Sequence, residues 1–157
     1  MTAARSFLLA IDLATRQRDQ AAQGLMKAQS MNLFAQGQMS QLETYSLETE
    51  LKWTTAAQIG TTPELMRHEY QFMNRLQQAI RLQRDVLEAE DRKVDAAKRL
   101  LLAAEFRLAS LKQLVKQMQA KHAVLEARRE QKQMDEFASL QFGRAKQAIA
   151  QENHNEH

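Results

Sequence analysis

The stretch that decides the fold runs from Met73 to Leu125 and reads MNRLQQAIRLQRDVLEAEDRKVDAAKRLLLAAEFRLASLKQLVKQMQAKHAVL. Residues spaced at alternating steps of three and four form a seam along it: Met73, Leu76, Ile80, Gln83, Leu87, Glu90, Val94, Ala97, Leu101, Ala104, Leu108, Leu111, Val115, Met118, His122 and Leu125. Only Gln83, Glu90 and His122 are polar. A pattern kept over more than about four heptads is typical of a coiled coil. We therefore expect one very long helix that pairs along this seam.

The composition also favours helix. The chain has four glycines, a single proline (Pro63) and no cysteine, and its formal net charge is +3. Ala, Leu, Gln, Arg, Glu and Lys dominate, and these residues are strong helix formers. Without cysteine there is no disulfide framework and no thiolate metal site. The start of the chain has only Phe7 to Ile11 as an apolar stretch, so we expect a soluble, unprocessed protein without a membrane span.

The strongest break in the helical pattern lies at Gln58–Glu64. Gly60 suits the left-handed conformation that ends a helix. Thr61 with Glu64 has the spacing of a capping box, whereas Thr62 as the cap would place Pro63 at the first helical position. Either register gives a short turn, which makes the two flanking helices antiparallel neighbours.

Helix 1 carries a weaker seam of its own: Phe7, Ile11, Ala14, Arg18, Ala21, Leu25, Ala28, Asn32, Ala35, Met39, Leu42, Ser46, Thr49, Trp53 and Ala56. The sequence thus predicts an all-α fold, a single antiparallel two-helix coiled-coil hairpin over 1–157 with a longer second helix. We expect helix 1 at about 5–58, the turn at about 59–62, helix 2 at about 63–143 and a disordered tail at about 144–157. Gly24 and Gly37 inside helix 1 each cost roughly 1 kcal/mol relative to alanine.

Residues beyond about Gln119 have no helix 1 sequence left to pair with. This segment places Leu125, Met134 and Phe137 among basic residues, and an unpaired apolar stripe on a basic helix is normally a binding surface. Pairing with a second copy and simple fraying are the alternatives.

The sequence shows no enzyme chemistry. The four histidines lack metal-ligand spacing, and there is no phosphate-binding glycine-rich loop and no nucleophile motif. We expect no catalytic residue, no cofactor, no metal and no small-molecule substrate. Arg128, Arg129 and Lys132 raise the question of nucleic-acid binding, but Glu126 and Glu130 interleave with them, so a solvated mixed-charge helix is favoured.

Three stretches resemble the FliJ family of the bacterial flagellar type III export apparatus. The most specific is Gln131–Ala138, which is similar to the family's C-terminal Gln-Lys-x-x-Asp-Glu-Phe signature. The others are Asp12–Ala14, followed by Ala21, Ala22, Met39, Leu42 and Tyr45, and Tyr70–Phe72 with Leu76, Ala79 and Ile80.

The resemblance implies a two-helix stalk similar to the γ subunit of the rotary ATP synthase. It implies binding to the ring of the export ATPase FliI, to the export gate protein FlhA and to export chaperones. It places the protein in the cytoplasm, with peripheral association at the inner-membrane export apparatus through partners only. The gate-contact surface maps onto Gln38, Leu42, Tyr45, Phe72, Leu76 and Ala79. Leu42 and Leu76 also belong to the seams, and a purely structural role is the alternative for them, whereas Tyr45 and Phe72 lie off the seams by their spacing. The chain departs from the family pattern at Thr49 and Gln83, where an aromatic residue and a histidine are expected.

The ATPase-ring contact is assigned to Ile11, Leu13, Leu125, Arg128, Lys132, Met134, Asp135 and Phe137. The resemblance thus predicts a non-enzymatic stalk that promotes assembly and activity of the ring. The alternatives are the equivalent stalk of a virulence secretion system and a generic coiled-coil scaffold or nucleic-acid binder.

Overall fold

Two long helices account for the fold. The computed structural model describes residues 2–156. Helix α1 spans Thr2–Ile59 with 58 residues, and α2 spans Pro63–Asn155 with 93 residues. The predicted all-α hairpin with a longer second helix is therefore confirmed. Met1 and His157, the ends of the predicted hairpin, lie outside the described residues.

The chain divides by its contacts into two units, Met1–Leu108 and Ala109–His157. Unit 1 holds α1, the turn and the first half of α2. Unit 2 consists of the remaining part of α2.

The turn between the helices is short and its ends are capped. Gly60 has a φ of 109°, a conformation that residues with a Cβ rarely adopt, and its N–H donates to the Ala56 carbonyl at 3.1 Å. The Leu65 N–H donates to Oγ1 of Thr62 at 3.3 Å, and α2 begins at Pro63. Of the two registers that the sequence left open, the structure has Thr62 as the N-cap, with Pro63 at the first helical position.

The core of unit 1 follows the two predicted seams. Every α2 seam position from Met73 to Leu108 is buried or half-buried, as is every α1 seam position from Phe7 to Trp53, whereas Ala56 is exposed. The apolar residues buried most deeply are Ala14, Ala35, Met39, Leu76, Ile80 and Leu108. Full burial of a Leu or Ile side chain stabilises a fold by about 1.5–3 kcal/mol, so α1 and α2 hold each other mainly through these positions.

Polar side chains fix the alignment of the helices in unit 1. The Asn32 amide donates to Oδ1 of Asp91 at 2.7 Å, and the Gln83 amide donates to the Ala35 carbonyl at 2.9 Å. Nearer the turn, the Gln77 amide approaches Oγ of Ser46 at 3.4 Å. The two members of each pair lie about equally far from Gly60 in sequence, which is the pattern of an antiparallel hairpin.

Unit 2 is helical as far as Asn155, and residues 116–156 are all exposed. The sequence predicted that helix 2 ends at about 143 and that a disordered tail follows, but the structure has α2 continue twelve residues further, where the Glu156 N–H still donates to the Glu152 carbonyl at 3.2 Å. The physical reason is that helical hydrogen bonds are local. Beyond Gly143 the chain has no glycine or proline, and most of its residues are good helix formers.

Candidate partner-binding surfaces

An exposed aromatic pair lies on unit 1 near the turn. The rings of Tyr45 and Phe72 meet edge to face, with centroids 5.8 Å apart and an interplanar angle of 85°. Their exposed fractions are 51% and 40%. One residue comes from each helix, and both stand beside the seam rather than in it. Large aromatic groups left this accessible are common anchors of protein interfaces.

The other predicted gate-contact residues differ in accessibility. Gln38 is exposed, Leu42 and Ala79 are half-buried, and Leu76 is only 7% exposed. Leu76 therefore packs in the core and offers little side chain to a partner. The Gln83 amide donates to Oε1 of Gln38 at 3.2 Å as well as to the Ala35 carbonyl.

A shallow groove extends from the aromatic pair toward the turn. It is lined by Tyr45, Glu48, Thr49, Lys52, Leu65, His68, Glu69 and Phe72. Leu65, which is 56% exposed, was missed by the sequence reasoning. The spacing could have indicated it, because Leu65 precedes Phe72 by seven residues and heptad spacing puts two residues on the same side of a coiled coil.

The predicted ring-contact residues fall on both units. On α1 in unit 1, Ile11 is half-buried and belongs to the seam, while Leu13 is 55% exposed. The remaining six lie in unit 2 and all are exposed: Leu125, Arg128, Lys132, Met134, Asp135 and Phe137.

Unit 2 does not bring its six predicted residues onto one face. An α-helix turns by about 100° per residue, so Met134 and Phe137 lie within about 60° of each other. Leu125 precedes Met134 by nine residues and lies about 180° from it around the helix. Lys132 lies near Leu125. The apolar residues that looked like one stripe in sequence thus belong to two opposite sides of the helix.

Charge on unit 2 is mixed. Nε2 of His122 lies 3.8 Å from Oε1 of Glu126, and the Gln131 amide donates to Oδ1 of Asp135 at 3.2 Å. Among residues 2–156, no group of three or more His, Asp or Glu side chains is arranged to hold a metal ion. Neither helix, over its described length, has a stretch apolar enough to cross a bilayer.

These features define a class of protein: a long helical hairpin whose exposed apolar and aromatic side chains suit binding to other proteins. A family model described as the flagellar FliJ protein matches residues 6–147. The chain belongs to this family, which makes it a component related to flagellar protein export. The match includes both predicted contact sets. A comparison with curated proteins found no match.

Proposed function

We propose that the protein is a non-enzymatic central stalk of the flagellar export ATPase. It binds the FliI ring, promotes ring assembly and ATP hydrolysis, and links the ring to the export gate and to export chaperones. It acts in the cytoplasm and reaches the inner-membrane export apparatus through these partners. The observation that carries the proposal is the match to the flagellar FliJ family over residues 6–147.

The ring contact is supported by the exposure of unit 2. Met134 is 68% exposed and Phe137 is 63% exposed. Both lie in the stretch that resembles the family's C-terminal signature. Burying such side chains against a partner would recover apolar contact that the chain alone does not provide.

The test is to mix the purified chain with its cognate ATPase and to follow ring assembly by light scattering and phosphate release by a coupled assay. We expect both to rise with added chain and to saturate. The test variant combines Met134→Gln with Phe137→Gln, which should retain helicity by circular dichroism but stimulate less. If the wild-type chain changes neither assembly nor hydrolysis, the stalk proposal is wrong.

The gate contact is assigned to the aromatic pair. Tyr45 and Phe72 are accessible, and their edge-to-face contact holds the two rings in one arrangement across the helices. A preorganised aromatic anchor loses little conformational freedom on binding. Gln38 and Leu42 lie beside Tyr45, Ala79 is half-buried, and Leu76 is buried in the core of unit 1.

Replacing Tyr45 and Phe72 by Ala should weaken binding to the cytoplasmic part of the gate protein by about tenfold or more, because interface aromatics often contribute 2 kcal/mol or more. Tyr70→Ala is the matched control, since Tyr70 is 66% exposed and lies beside the pair in sequence. Calorimetric titration measures the affinity, and thermal unfolding checks the fold. Equal losses in the Tyr70 variant and the double variant would contradict a specific role for the pair.

A further inference from the structure

We propose that the groove between the Tyr45–Phe72 pair and the turn is a binding site for an arginine side chain of a partner protein. The groove offers a volume of about 490 Å³. The two aromatic rings stand at one end of it, and the carboxylates of Glu48 and Glu69 line its walls. The inference shares the aromatic pair with the proposed gate contact, but it does not depend on which protein supplies the arginine.

The two carboxylates lie on opposite walls of the groove. Glu48 follows Tyr45 by three residues on α1, and Glu69 precedes Phe72 by three residues on α2. The helices are antiparallel and the two rings are in contact, so this equal spacing places both glutamates one helical turn from the pair. Like charges on facing walls repel each other, and a cation between them removes that repulsion.

Neither carboxylate is satisfied within the chain. Over the described residues 2–156, neither Glu48 nor Glu69 forms an ion pair or a side-chain hydrogen bond. Oε2 of Glu69 is moreover buried without a hydrogen-bond partner. A buried acceptor without a partner is costly, because it has lost water and gained nothing in exchange. A bound cation would supply the missing donor.

The lysine that lines the groove does not take this role. Lys52 follows Glu48 by four residues, yet its ammonium group forms no ion pair with any side chain in the described part of the chain. Two carboxylates against one ammonium, with His68 neutral, leave the groove with an excess negative charge. The groove is therefore complementary to a further cation.

Aromatic rings together with carboxylates select a guanidinium. Tyr45 is 51% exposed and Phe72 is 40% exposed, so their ring surfaces are open to a ligand. A planar guanidinium stacks on such rings and donates two parallel hydrogen bonds to a carboxylate, whereas an ammonium is a compact and strongly hydrated charge. Leu65, at 56% exposure on the groove wall, suits the methylene groups of the same side chain. An anionic or apolar side chain would leave both carboxylates unpaired.

The test is an NMR titration of the nitrogen-15-labelled full chain with acetyl-arginine amide, and with acetyl-citrulline amide as the uncharged analogue of the same shape. The backbone amides of residues 48–52 and 65–72 report on the groove. The single tryptophan, Trp53, stands beside Lys52 in sequence and contributes one indole N–H signal.

Three variants separate the groove from the charge of the chain as a whole. The test variant combines Glu48→Gln with Glu69→Gln. The matched control combines Glu43→Gln with Glu88→Gln, which changes the net charge equally at two exposed glutamates outside the groove, one on each helix. Lys52→Gln removes the cation that competes within the groove.

We expect saturable shifts at the groove with the arginine compound and at least tenfold weaker binding of the citrulline compound. The Glu48 and Glu69 variant should bind the arginine compound at least tenfold more weakly, the control pair less than twofold more weakly, and Lys52→Gln more tightly than wild type. Absent or non-saturable shifts, equal binding of the two compounds, or equal losses in the two glutamate pairs overturn the inference. The gate and stalk proposals stand in each of these cases, because they are tested by affinity for whole proteins.

Discussion

Replacing Glu90 by Leu should stabilise the hairpin. Glu90 occupies a seam position and is 8% exposed, and its Oε2 is buried without a hydrogen-bond partner among the described residues. Its Oε1 lies 3.3 Å from Nζ of Lys93, whose side chain is 64% exposed. A buried, unsatisfied polar atom costs about 1–3 kcal/mol. The exposed ion pair returns only about 0.2–0.5 kcal/mol.

The net gain in the free energy of unfolding is therefore about 0.5–3 kcal/mol, because leucine removes the unsatisfied oxygen and suits a seam position. Asn32 keeps its bond to Asp91 in the variant, so no new unpaired group is created. Urea unfolding followed by circular dichroism measures the change. Glu90→Gln is the control, since it removes the charge but leaves a polar group buried, and its stability should stay near that of the wild type. A Glu90→Leu chain less stable than wild type would refute the reasoning.

Three further substitutions test the backbone of unit 1. Gly37→Ala should stabilise by up to about 1 kcal/mol, because a Cβ there meets no atom within 4 Å and alanine is the better helix former; an unchanged unfolding midpoint would argue against this. Gly60→Ala should destabilise, since its φ of 109° strains any residue with a Cβ, and a rise in melting temperature would contradict that account. Thr62→Ala should cost about 0.5–2 kcal/mol as a lost N-cap, measured by urea unfolding, with Thr61→Ala as the near-neutral control.

The hairpin was predictable because the core residues of a two-helix structure recur at regular intervals in the sequence. Leu76, Ile80 and Leu108 were assigned to the seam from their intervals alone, and all three are buried. The cap was not predictable, since Thr61 and Thr62 have the same side chain and both have a suitable neighbour downstream. What separates them is the backbone, in which α2 begins at Pro63.

The end of α2 was missed for a different reason. Apolar periodicity reports what a helix packs against. The residues after Gly143 are mostly polar, and Ile149 is the one large apolar side chain among them, so they carry little such signal. Helix itself requires only local backbone bonds and suitable residues, so it can continue to Asn155 without a partner.

The sequence predicted the candidate surface of unit 1 better than that of unit 2. Tyr45 and Phe72 were assigned off the seam by spacing, and they are exposed; their edge-to-face contact depends on side-chain geometry that spacing does not specify. In unit 2, the sequence predicted the exposed apolar residues but not the side of the helix on which each lies. Neighbouring residues are rotated by about 100°, and their order in the sequence does not display this rotation.

The bonds that Asn32 and Gln77 make to side chains of the facing helix have a mechanical consequence. Apolar residues at heptad spacing would meet again if one helix slid by seven residues, roughly 10 Å. Polar pairs do not repeat in this way: seven residues after Asn32 stands Met39, which has no amide to offer Asp91. These two side-chain pairs therefore oppose sliding of α1 along α2 within unit 1, so that a pull along α1 in this unit is passed to α2.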